Sequence, residues 1–96
     1  MAAIVLTSYA LSDLERLRLF LVNSDPAAAD QTIELILSGI SVIEVHPLIG
    51  RPAAADLREI VISRGRSGYL ALYRYDEARD RVLVLAIRHQ REAGYI

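Results

Sequence analysis

Val82-Leu83-Val84-Leu85-Ala86-Ile87 is apolar at every position, and this run constrains the fold of the 96-residue chain more than any other segment. On a strand, consecutive side chains project to opposite faces, so an unbroken apolar run needs cover on both sides and belongs inside a sheet. Arg81 to His89 therefore reads as a central strand, and the rest of the chain must supply its neighbours and a covering layer.

Ala3 to Thr7 is a short apolar stretch whose Ile4 and Val5 favour a first strand. Ser12-Asp13-Leu14-Glu15 has the form of a capping box, and Leu14, Leu17 and Leu21 follow at helical spacing. Asp25-Pro26 ends that helix and starts another, because Asp25 can cap and Pro26 suits a first helical position, where its missing N–H costs nothing. Ala29, Ile33, Ile36, Ile40 and Ile43 form the apolar stripe of the second helix, with Gly39 set among them, so the two helices make a hairpin. Pro47 stops the helix, and Leu48-Ile49-Gly50-Arg51-Pro52 reads as an irregular connector.

Three strands follow, Leu57 to Ser63, Tyr69 to Tyr75 and Arg81 to His89, joined by the turn segments Arg64-Gly65-Arg66-Ser67-Gly68 and Asp76-Glu77-Ala78-Arg79-Asp80. Connections this short imply antiparallel neighbours. The expected fold is α+β: an N-terminal strand, an α-helical hairpin, then a three-stranded antiparallel meander, all forming one small sheet with the hairpin on one face. Residues 1–96 make a single domain on this reading.

Composition removes several function classes. With no cysteine there is no disulfide framework or thiolate metal site, and His46 and His89 are too few and too far apart to suggest a metal centre. No metal or cofactor is expected. The N-terminus lacks the basic and long apolar regions of a signal peptide, and no apolar run approaches the roughly 20 residues of a membrane span. The chain reads as cytoplasmic, with no membrane partner.

Charge is unevenly distributed. Residues 1–50 carry 2 Arg against 6 acidic residues, a balance of -4; residues 51–96 carry 9 Arg against 6, a balance of +3. All eleven basic residues are arginine, the side chain suited to fork-like recognition of carboxylate and phosphate. The C-terminal half is thus the expected working surface, facing an acidic or anionic partner. Arg58 and Arg74 are expected near one another across adjacent strands, with Arg88 near Arg64 and Arg66 at the opposite end. These five are candidate binding residues; the alternative reading pairs each arginine with a nearby acid, as for Arg79 and Arg81 with Asp76 and Asp80. His89 is a candidate general base. Tyr69, Tyr73 and Tyr75 alternate on one face, as stacking platforms or as packing. No P-loop, nucleophile elbow, dinucleotide-binding glycine pattern or paired-carboxylate site is present.

Taken together, Gly50-Arg51-Pro52, Leu57-Arg58-Glu59-Ile60-Val61, Gly68-Tyr69-Leu70-Ala71-Leu72-Tyr73-Arg74-Tyr75 and Val84-Leu85-Ala86-Ile87-Arg88-His89-Gln90-Arg91-Glu92 resemble the toxins of bacterial type II toxin–antitoxin systems in the RelE/ParE superfamily. The resemblance spans essentially the whole chain and lies closer to the ParE branch. It implies a compact toxin neutralised by a cognate antitoxin whose acidic C-terminal segment wraps it. ParE-like members poison DNA gyrase and carry no recognised catalytic set; RelE-like members cleave messenger RNA on the ribosome. In ribonuclease members a basic residue often begins the strand ending in apolar-apolar-Tyr, and here Leu70 takes that place. His89 lies one position earlier than the ribonuclease pattern, so on an alternating strand it faces the other way. The resemblance therefore implies gyrase as the target, with ribosome and messenger RNA as the alternative, in which Arg88, His89 and Tyr95 would be catalytic.

Overall fold

The computed structural model describes residues 1–64 and 67–95, apart from the side chains of 63, 64 and 67. The order is β1 (Ala3–Leu6), α1 (Ser8–Val22), α2 (Pro26–Ser41), a 3-10 turn at Val42–Glu44, β2 (Arg51–Pro52), β3 (Leu57–Arg64), β4 (Ser67–Asp76) and β5 (Arg81–His89). The fold is the α+β arrangement expected, with a fuller sheet. Its five strands run β1-β5-β4-β3-β2, all antiparallel except that β1 lies parallel to β5. The extra strand is β2, where Arg51 pairs with Glu59 and Pro52 with Arg58. Part of the expected irregular connector is thus a two-residue edge strand, a position that tolerates proline because one side needs no donor.

The first helix starts earlier than expected. Thr7, not Ser12, is its N-cap, its hydroxyl accepting the Ala10 N–H at 3.3 Å. The capping-box sequence at Ser12–Glu15 lies inside the helix, and the reason is tertiary. Thr7 also bonds β5, its N–H and hydroxyl donating to the Val84 carbonyl at 3.1 and 2.8 Å, so the strand-to-helix switch occurs where β1 leaves the sheet. Asp25 caps α2 as expected, accepting the Ala28 N–H at 3.2 Å, with Pro26 beginning the helix.

The hairpin covers one face of the sheet. Leu14, Leu17, Ile36, Ile40 and Ile43 pack onto Ile62, Tyr69, Ala71, Tyr73, Val82, Val84 and Ile87. Gly39 marks the closest approach of α2, since a Cβ there would lie 2.7 Å from Ile62 Cγ1.

Strand β5 sits between β1 and β4, as its apolar run requires. Its alternation is broken once: Leu72 pairs with Ala86 but Tyr73 with Val84, leaving Leu85 as an extra residue. This bulge turns Ile87 and His89 toward the helices and Ala86 and Arg88 toward the other face. It explains why Ala86 and Ile87 are buried in succession.

Candidate functional site

Beyond Leu6, β1 no longer covers β5, and the outer edge of residues 85–89 has no strand neighbour among the described residues. Side chains close this edge instead. Asp13, on α1, is only 5% exposed and accepts the Ile87 N–H at 2.8 Å, while Arg16 one turn later donates to the Ile87 carbonyl at 3.3 Å. Arg16 also holds Glu92 at 2.6 Å, and Glu92 accepts the His89 N–H at 2.8 Å. Burial alone would raise the Glu92 pKa, but the His89 amide and Arg16 outweigh it and hold the carboxyl below its ordinary value. The strand edge is thereby blocked and the start of the C-terminal tail is fixed to α1.

From that anchor the tail turns onto the helix-free face of the sheet. Arg88 donates to the Glu92 carbonyl at 2.7 Å, and its guanidinium carbon lies 5.1 Å from the centre of the Tyr95 ring. The Tyr95 hydroxyl donates to Glu59 on β3 at 2.6 Å, and Arg51 on β2 donates to the same carboxylate from Nε at 3.0 Å. The tail therefore spans β4, from Arg88 on β5 to Glu59 on β3, and Leu70 between them is 5% exposed. Burial would raise the Glu59 pKa, yet the bonds from Tyr95 and Arg51 hold it below the ordinary carboxylate value. Burial and the bond to Glu59 push the Tyr95 hydroxyl far above the usual tyrosine range. At neutral pH this face holds an ionised carboxylate and a neutral phenol, which suits a locked contact better than proton abstraction.

The sequence candidates divide accordingly. Arg88 and Tyr95 come together on the open face; His89 does not join them. Its ring is on the helix side, edge-on to Tyr69 at 5.1 Å, and its Nδ1 accepts the Arg91 N–H at 3.0 Å. Arg58 and Arg74 do not cluster either, because Arg58 pairs across the strands with Tyr73, placing Arg74 on the opposite face. Arg58 Nη1 donates to the carbonyls of Leu48 at 3.2 Å and Gly50 at 2.9 Å, and Arg74 lies 3.9 Å from Asp56. Arg66 and the side chain of Arg64 lie outside the described residues. Arg79 and Arg81 face Asp76 at 3.1 and 3.6 Å, as the pairing reading has it, while Asp80 takes the Tyr75 hydroxyl at 2.7 Å. Tyr69 and Tyr73 are core side chains, closed to stacking bases.

Sequence reasoning missed Glu59, the residue at which Arg51 and Tyr95 converge. Its signal was available, since an acid between Arg58 and Ile60 in a strand facing other strands requires a partner.

On the helix side, Arg16, Leu17, Phe20, Leu21, Tyr69, His89, Arg91 and Glu92 line a groove of about 580 Å³. Phe20 is 80% exposed at its rim, and Arg91 is exposed with no ion-pair partner among the described residues. The groove thus combines an apolar floor with Arg91, while its other arginine, Arg16, is engaged by Asp13 and Glu92. No group of three or more potential metal ligands is found among the described residues.

Residues 4–94 match the model of a family described as the ParE toxin of type II toxin–antitoxin systems, parDE. Toxin RelE3 of Caulobacter vibrioides is 38% identical over 92 residues, which cover 96% of this chain and 98% of the relative. Among solved structures, a chromosomal ParDE toxin–antitoxin system from P. aeruginosa superposes with a TM-score of 0.75 at 19% identity, covering 93% of this chain and 96% of that one. The RelBE2 toxin–antitoxin complex of Mycobacterium tuberculosis gives 0.59 at 24% identity, covering 93% and 98%. These two show a shared fold.

Proposed function

This chain belongs to the ParE toxin family of type II toxin–antitoxin systems, within the RelE/ParE superfamily, and we propose that it acts by binding DNA gyrase and not by cutting RNA. The state of the helix-free face carries the proposal. A ribonuclease of this architecture needs free cations there to stabilise charge on a phosphate. Here Glu59 puts a carboxylate on that face, Arg51 is bound to it, and Arg88 holds the tail. The Arg51 and Arg88 guanidiniums are thereby engaged by Glu59 and by the folded tail. A non-enzymatic toxin needs only a stable surface, which this face supplies.

The cognate antitoxin is assigned to the α1 groove. An acidic, amphipathic segment would seat apolar side chains against Leu17, Phe20 and Leu21 and place a carboxylate on Arg91. Among the described residues no helix is long and apolar enough to cross a membrane, and the action proposed is in the cytoplasm, where gyrase works.

A second reading has one specific observation in its favour: Arg88 and Tyr95 meet on the open face, as a ribosome-dependent ribonuclease would need. Induction without antitoxin separates the two. Gyrase action produces an SOS response and gyrase-dependent DNA breaks; ribonuclease action arrests translation with cleaved messages and intact DNA. Normal growth on induction would contradict both readings.

A further inference from the structure

The turn that ends β5 is held from both faces of the sheet at once. On the helix side, the Glu92 carboxylate takes Arg16 at 2.6 Å and the His89 N–H at 2.8 Å, and His89, Arg91 and Glu92 together form one wall of the α1 groove. On the helix-free side, the carbonyl of the same Glu92 accepts from the Arg88 guanidinium at 2.7 Å. The turn is closed internally by the Glu92 N–H donating to the His89 carbonyl at 3.0 Å and the Arg91 N–H donating to the His89 ring at 3.0 Å. It is tied to β4 by the Gln90 N–H donating to the Gly68 carbonyl at 2.9 Å. The tail leaves from this turn and closes on Glu59 through the Tyr95 hydroxyl, two strands from β5 and so roughly 10 Å across the sheet. Neither Tyr95 nor Glu59 lines the groove. Glu92 therefore belongs to both surfaces, its side chain to one and its carbonyl to the other.

The pairing of the two groove arginines sets the sign of the link. Arg16 is already held by Asp13, Glu92 and the Ile87 carbonyl, whereas Arg91 is exposed and has no ion-pair partner among the described residues. An incoming carboxylate is thus directed to Arg91 and leaves the Arg16–Glu92 pair in place. Bound there, with apolar side chains on Leu17 and Phe20, an acidic segment restrains the same turn that must stay still for Tyr95 to remain on Glu59. The turn is ordered once, whichever contact forms first, so each contact favours the other. The element with two states is the tail, closed on Glu59 or free, and the coupling is reciprocal.

We infer that the 89–92 turn couples the antitoxin groove to the C-terminal tail, so that the Tyr95–Glu59 bond on the opposite face strengthens antitoxin binding without touching the antitoxin. This rests on the groove assignment above. Glu92 and Tyr95 are then positioning residues for neutralisation.

The test titrates the purified cognate antitoxin against full-length wild type, Tyr95→Phe, Glu92→Ala and the double variant, with thermal unfolding as the folding control. Phe20→Ser checks the groove itself. Tyr95→Phe should bind the antitoxin about fivefold or more weakly, and the same change should have little further effect once Glu92→Ala has cut the link. In the isolated toxin, Glu92→Ala should speed hydrogen exchange over residues 90–95. Unchanged or tighter antitoxin binding by folded Tyr95→Phe overturns the coupling and leaves the groove assignment standing. An equal loss from Tyr95→Phe in both backgrounds overturns it too, because the antitoxin would then touch Tyr95 directly. Unaltered exchange in Glu92→Ala overturns it from the toxin side. Undiminished binding by Phe20→Ser removes the antitoxin from the groove, and the coupling falls with that assignment.

Discussion

Asp13 on α1 and the Ile87 amide on β5 are 2.8 Å apart, a contact between residues 74 positions apart in sequence that stands in for a missing strand. The carboxylate is buried and is the acceptor for an N–H that β1 ends too soon to reach. Asp13→Ala should therefore cost about 2–3 kcal/mol, because it leaves that amide unsatisfied and takes away the acid beside Arg16. Asp13→Asn keeps an acceptor and should cost about half as much. Urea denaturation of both variants measures this; equal stabilities of Asp13→Ala and wild type would show that the edge contact contributes nothing.

Gly39 tests the seating of α2 on the sheet. Alanine is the better helix former by about 1 kcal/mol, but its Cβ would press on Ile62 at 2.7 Å. The steric term should win, so Gly39→Ala lowers stability by about 1–2 kcal/mol. Combining it with Ile62→Ala should cost less than the sum of the two single variants.

Ala55 lies at φ 52°, in the turn closed by the Leu57 N–H donating to the Ala54 carbonyl at 2.9 Å. A Cβ is disfavoured in that left-handed region and glycine is not. Ala55→Gly should raise stability by roughly 0.5–1 kcal/mol, read as a higher melting temperature.

How much of this was legible in sequence depends on whether the signal was local. The Asp25-Pro26 junction, the Ile36, Ile40 and Ile43 stripe and the apolar β5 run are local patterns, and each appears where the chain order placed it. The start of α1 was misplaced because Thr7 is chosen by its bond to Val84, 77 residues away. Strand β2 was hidden because two residues carry no period and one is proline. The site was less legible than the fold. Arg58 and Arg74 lie on adjacent strands but are offset by one position in register, so strand pleating puts their side chains on opposite faces, and Arg58 serves the loop carbonyls instead. The β5 bulge and the tail's fold-back to Glu59 are tertiary outcomes with no local sequence mark.

Acid should loosen the tail before the core. Glu59 and Glu92 both titrate below the ordinary carboxylate value when folded, so the folded chain binds fewer protons at these groups than the unfolded chain. Their contribution is full above about pH 5 and is lost as pH falls through the range below about 4. Hydrogen exchange of residues 90–95 should rise in that window, and Glu59→Gln should flatten the dependence. Exchange independent of pH after correction for its intrinsic rate would contradict the assignment.

The central claim is that the chain poisons gyrase, and one measurement bears on it directly. Purified toxin is incubated with gyrase, ATP and supercoiled plasmid, and covalent DNA cleavage is released with detergent and protease. Linear DNA that increases with toxin and disappears when antitoxin is added first is the predicted result, and Tyr95→Phe should leave it unchanged because Tyr95 is proposed to have no catalytic role. An absence of gyrase-linked linear DNA, together with messages cut in a translating ribosome mixture and protected by Tyr95→Phe, would contradict the account.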